Sequence, residues 1–147
     1  MTQKAATEQL EPMNALVGEW RTEARHASYP DIVRGHAVFE WLEGGHFLVL
    51  RWDVDHPDFP NSISVIGSTE PDADPTMHYF DSRGVARIYQ FKATPSEWGF
   101  RRDWPGFSQR YTATFNDDKS EASGPIEQSS DGDNWELDFP LTWIRIG

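Results

Sequence analysis

From Trp20 onward the chain is a succession of short strand-like runs, some of which, such as 107–116, alternate apolar and polar side chains. That period of two places one set on each face of a strand. The runs cover 20–29, 34–43, 46–53, 61–68, 77–81, 85–92, 97–104, 107–116, 120–128 and 135–146. Between them stand Pro30-Asp31, Gly44-Gly45, Thr94-Pro95, Pro105-Gly106, Asp117-Asp118 and similar clusters, all residues suited to turns by their backbone angles. Ten strands with short connections predict an all-β, up-and-down antiparallel barrel, because closing the meander removes its edges. Ahead of them, residues 12–17 predict a short helix. Pro12 suits its first position, Met13, Leu16 and Val17 give it an apolar side, and Gly18 suits its stop. That segment is expected to cover one end of the barrel. No repeat, linker or low-complexity block divides the chain, so residues 1–147 read as one domain.

Two turns predict registers. A two-residue turn at Gly44-Gly45 pairs Glu43 with His46, Trp41 with Leu48, Phe39 with Leu50 and Ala37 with Trp52. This nearly uncharged set is assigned to the interior. The opposite face, with Val38, Leu42, Phe47 and Val49, is half apolar, which is unusual for a solvated strand. Either the N-terminal segment covers it, through Leu10 and Met13, or a second copy of the chain does, giving a homodimer through the outer face of residues 34–53. A turn at Pro105-Gly106 pairs Arg102 with Gln109, Phe100 with Tyr111 and Trp98 with Ala113 on an inner face. In the first strand Trp20, Thr22, Ala24, His26 and Ser28 share the inner face. Around 82–84 two registers are open, and no faces are assigned there.

Composition narrows the function. Seven Trp, nine Phe and four Tyr fit the wide pleated faces of a β-protein. A formal charge of −11 disfavours nucleic acid and anionic membranes as partners. No cysteine is present, which removes disulfides, thiolate metal sites and Cys nucleophiles. Residues 1–10 lack an apolar core of signal-peptide length and no run approaches a membrane span, so a cytoplasmic protein is expected.

Gly18-Glu19-Trp20 at the head of the first strand, with Arg145 in the last, resembles the calycin superfamily of lipocalins, fatty-acid-binding proteins and nitrobindin-like proteins. The chain looks nearest to the small uncharacterised bacterial calycin-like families. The resemblance implies a calycin-like barrel in which Trp20 plugs one end and Arg145 lies over its indole. A guanidinium over a Trp face is favourable by roughly 1 kcal/mol, and its planar fork can bond carbonyls as well. It also implies a small, largely apolar ligand inside the barrel, with an interior Arg taking an acidic head group. Arg102 is the candidate, with Gln109 and Tyr111 as its neighbours. The other readings of Arg102 are a pairing with an internal carboxylate, or a long stem that reaches the rim. Nitrobindin-like proteins bind haem through a His near the C-terminus. This chain has no His after His78, so no cofactor is expected, and haem is disfavoured.

His26, His46 and Trp52 complete the expected ligand-binding set, on their inward positions. His78 is a third histidine that could point inward, and two or three imidazoles could bind a metal or serve an enzyme as acid or base. No His-x-His pair, His-Glu-x-x-His run or carboxylate at ligand spacing accompanies them, and no metal site is expected. Asp131-Gly132-Asp133-Asn134 lacks the alternating ligands of a calcium loop and reads as a hairpin turn. Asp55-His56-Pro57-Asp58 reads as a loop at the barrel mouth. No phosphate loop, nucleophile elbow or paired catalytic carboxylates are present. Binding of a small molecule is thus the main expectation, beside a small-molecule enzyme and an interaction protein with a filled barrel.

Overall fold

The structure, a computed structural model, describes residues 5–70 and 72–147. Its strands are β1 (Gly18–Ala24), β2 (Val33–Trp41), β3 (Leu48–Val54), β4 (Ser62–Gly67), β5 (Thr76–Asp81), β6 (Ala86–Ala93), β7 (Glu97–Arg102), β8 (Ser108–Phe115), β9 (Glu121–Ser129) and β10 (Glu136–Arg145). Each pairs antiparallel with its neighbours in sequence, and β1 pairs with β10, closing a ten-strand barrel. The fold is therefore all-β and up-and-down, as the alternation predicts.

The helical segment is a 3₁₀ helix, Glu8–Leu16, that begins before Pro12 rather than at it. Leu10, Met13 and Leu16 are buried and plug the end of the barrel from which β1 starts. They point into the core, so this segment does not cover the outer face of β2 and β3. There Leu42 stays 53% exposed and Phe47 38%, with the Phe47 ring laid against Gly67.

Trp20 anchors the same end. It is 1% exposed, and its Nε1 donates to the Leu16 carbonyl at 2.8 Å. Arg145 pairs with Trp20 across the β1–β10 seam and holds its guanidinium carbon 4.2 Å from the ring centroid. Its Nη1 donates to the Val17 carbonyl at 2.8 Å and its Nη2 to that of Ala15. One side chain thereby ties the last strand to the end plug.

Both turn-derived registers hold. Trp41 faces Leu48, Phe39 faces Leu50 and Ala37 faces Trp52. Arg102 faces Gln109, Phe100 faces Tyr111 and Trp98 faces Ala113. At Pro105-Gly106 the Phe107 N–H returns to the Trp104 carbonyl, with Gly106 at φ +84° as a type II turn requires. The turn after β2 differs from expectation. The Gly45 N–H bonds the Leu42 carbonyl and the Leu42 N–H bonds that of Phe47, so the loop takes four residues, Glu43 to His46. A four-residue loop preserves the parity of the pairing, which is why the register survives.

Candidate functional site

Around β5–β6 the two open registers resolve to one. Tyr79 faces Arg87, Phe80 faces Ala86 and Met77 faces Tyr89. Arg87 and Tyr89 therefore share the inner face with Met77 and Tyr79, while Phe80, Ile88 and His78 lie on the outer one. This strand pair supplies the polar wall of a cavity of 340 Å³ that opens at the end opposite the helix. Its floor and sides include Leu50, Trp52, Ile66, Trp98, Phe100 and Trp143.

The polar wall has a definite order. Gln109 Oε1 accepts the Tyr89 hydroxyl at 2.7 Å and Arg87 Nη1 at 3.3 Å. The Arg87 guanidinium carbon stands 5.4 Å from the Phe107 ring centroid. Among the described residues no carboxylate comes within salt-bridge distance of Arg87. Arg83, the other cation on the cavity, is different. Asp81 takes its Nη2 at 2.6 Å and its Nε at 3.1 Å. Asp81 also takes the Tyr79 hydroxyl at 2.7 Å and the backbone N–H of Arg83 and Val85. Burial pushes the Asp81 carboxyl up, but the bonds from Arg83, Tyr79 and the two backbone groups outweigh it and hold it far below the usual carboxylate range. Burial, then the bond to Asp81, pushes the Tyr79 hydroxyl up. Arg83 is thus neutralised by its neighbour, and Arg87 is the cation left to face the cavity.

On the far wall, Trp52 Nε1 donates to Thr22 Oγ1 at 3.0 Å. Next to β5, Ser62 and Ser64 add hydroxyls from β4. A bulge between Leu137 and Phe139 in β10 brings both Asp138 and Phe139 to the cavity. Asp138 Oδ1 lies 3.4 Å from His26 Nε2, four strands around the barrel from β6.

The expected binding set divides. Gln109 and Trp52 line the cavity. Arg102 does not: its guanidinium carbon sits 4.5 Å from the Trp104 ring centroid, outside the lining. It is the last residue of β7, and its long stem lets the charge fold back to the rim. Tyr111 is buried core. Its hydroxyl donates to the Leu141 carbonyl at 3.0 Å and accepts Trp143 Nε1 at 3.0 Å, so both its polar capacities are used within the protein. His46 sits exposed in the four-residue loop, where no strand directs it inward. His26 lies past the end of β1, in the loop to β2. Its ring is 5.5 Å from Tyr29 and 5.6 Å from Phe139, and its Nδ1 accepts the Ser28 N–H at 3.1 Å. With Asp138 at the other nitrogen, neither is turned to the cavity. Asp55 to Asp58 connect Val54 to Phe59, which both line the cavity, and the Tyr29 hydroxyl donates to Asp58 Oδ2 at 3.0 Å. Asp131 accepts the N–H groups of Asp133 and Asn134, closing the β9–β10 hairpin.

Sequence reasoning missed Arg87, Tyr79, Tyr89 and Asp138. A partial signal existed for Tyr89, which shares its face with the apolar Phe91. Haem does not fit the donor set. Among the described residues no histidine lines the cavity, and the Tyr79 and Tyr89 hydroxyls are held by Asp81 and Gln109. Among the described residues no cluster of His, Cys, Asp and Glu could hold a metal ion, and no helix is long and apolar enough to cross a membrane.

No protein-family model matches the chain, and no curated protein does. Among solved structures it is similar to the crystal structure of Rv2717c from M. tuberculosis. The two share 12% identity and superpose with a TM-score of 0.63 over 96% of this chain and 99% of that one. At that identity the likeness concerns the fold.

Proposed function

We propose that the barrel binds a small, largely apolar molecule with an acidic head group inside its cavity. The observation that carries this reading is Arg87, a cation on the polar wall of a mostly apolar cavity, with Gln109 and Tyr89 beside it and, among the described residues, no carboxylate within salt-bridge distance. A guanidinium so placed has the Gln109 amide and the Phe107 face but no counter-charge, and an anion supplies one. Gln109 spends its oxygen on Tyr89 and Arg87, which turns the amide toward a donor's role. The cavity volume lies at the lower end of the range for small-molecule sites, about 300–1,000 Å³. Trp20 and Arg145 support the calycin-like resemblance in the same reading.

The test is an anionic environment-sensitive fluorophore titrated against the protein, beside a neutral analogue. Binding is expected at one site per chain. Arg87→Met weakens the anionic probe about tenfold and leaves the neutral one within twofold. Arg102→Met affects both equally. If Ala24→Trp, which fills the cavity, leaves either probe's binding unchanged, the molecule binds elsewhere and the proposal is wrong. Mass spectrometry of protein purified from its source under native conditions then looks for the retained ligand.

A further inference from the structure

The cavity has a shape as well as a charge. All ten strands contribute to its lining, yet none of the residues near the plugged end does: Trp20, Phe39, Trp41, Leu48 and Phe91 are buried beneath it. The chamber is therefore as wide as the barrel and occupies only its open half. Along β3 its lining runs only from Leu50 to Val54, a span of roughly 13 Å, in which a long chain cannot extend fully.

Its walls agree. Nine of the chain's twenty aromatic residues line it. Their rings meet one another edge to face or tilted: Tyr89 and Phe100 at 5.1 Å and 73°, Trp98 and Trp143 at 5.1 Å and 69°, Trp52 and Trp143 at 5.0 Å and 46°. Rings that already contact one another at steep angles turn their remaining faces and edges to the chamber, and an aromatic guest packs against both. Volume sets the size. A cavity of about 150 Å³ accommodates one benzene, so 340 Å³ accommodates a fused system of two or three rings.

Resting on the acidic-ligand reading above, we propose that the ligand class is a flat aromatic acid of two or three fused rings, not an aliphatic acid. Its plane lies among Trp52, Trp98 and Trp143, and its carboxylate meets Arg87 and Gln109. Phe107, stacked near Arg87, closes over the charged edge.

The experiment titrates the whole protein calorimetrically with anthracene-2-carboxylate, dodecanoate and 2-(hydroxymethyl)anthracene. The aromatic acid is expected to bind once per chain and about tenfold more tightly than dodecanoate. Arg87→Met brings the aromatic acid to the affinity of the alcohol. Dodecanoate binding as tightly as the aromatic acid, or more tightly, overturns the ring-system inference and leaves the acidic-ligand reading standing. An aromatic acid unaffected by Arg87→Met overturns the placement of its carboxylate. Silence from all three probes overturns this inference and the reading beneath it together.

Discussion

Arg145 and Trp20 face each other across the one seam that closes the barrel, with the guanidinium carbon 4.2 Å from the indole centroid. The pair joins β10 to the 3₁₀ helix as well, through the Val17 and Ala15 carbonyls. Removing either partner opens the plugged end. Trp20→Ala is expected to cost about 3–5 kcal/mol, as for a large buried aromatic. Arg145→Met, which orphans two carbonyls, costs about 1–3 kcal/mol. Urea unfolding of both variants measures these losses, and an Arg145→Met midpoint equal to wild type would show that the contact is ornamental.

Asp81 makes stability depend on pH in a predictable direction. Its carboxyl titrates far below the unfolded value of about 3.9. A depressed group stabilises the fold above its unfolded pKa, and that contribution is lost as pH falls through the folded one. Asp81→Asn is expected to destabilise the protein by about 1–3 kcal/mol at pH 7. The gap between variant and wild type narrows below about pH 4. A gap that stays constant down to acid unfolding would mean that the Arg83 and Tyr79 bonds carry no linkage.

Gly99 and Gly124 press on β8 from its two sides. A methyl group at Gly99 runs into the Tyr111 carbonyl, and one at Gly124 into that of Thr112. Both obstacles are backbone, which cannot rotate away. Each substitution by Ala is expected to cost about 1–3 kcal/mol through forced backbone shifts. Thermal unfolding followed by near-ultraviolet circular dichroism reads this out, because Trp98 adjoins Gly99.

Gln109→Glu tests the head-group wall without removing Arg87. The new carboxylate pairs with Arg87 and supplies the anion from within. Anionic-probe binding is expected to fall about tenfold or more, with neutral-probe binding and the unfolding midpoint preserved. Retained anionic binding would sink the assignment of that wall.

How far the sequence was legible follows from where each residue sits in its strand. Inside the ladders, alternation and turn residues fix the face, so the partners of Phe39, Ala37, Phe100 and Trp98 are all readable. At the ladder ends that constraint lapses. His26 and His46 lie two residues beyond β1 and β3, where the alternation no longer holds, and Arg102, the last residue of β7, folds its long stem back to the rim. Arg87 was hidden by a different cause. Its strand carries Ile88 outside and Arg87 inside, the reverse of the usual partition, and the turn at 82–84 permitted both parities. Asp138 depends on a bulge, which no periodic reading anticipates.

The seam has a kinetic meaning too. Nine of the ten ladders join strands consecutive in the chain, and each can form as a local hairpin. The tenth joins residues 20 and 145, so it bears the loop-closure entropy of almost the entire chain. A chain so arranged is expected to assemble its meander first and shut the ring last. Arg145→Met should then accelerate unfolding and leave the folding rate nearly untouched, the signature of a contact absent from the transition state. The clasp at Trp20 is in that sense a latch, setting how long the barrel stays shut rather than how fast it forms.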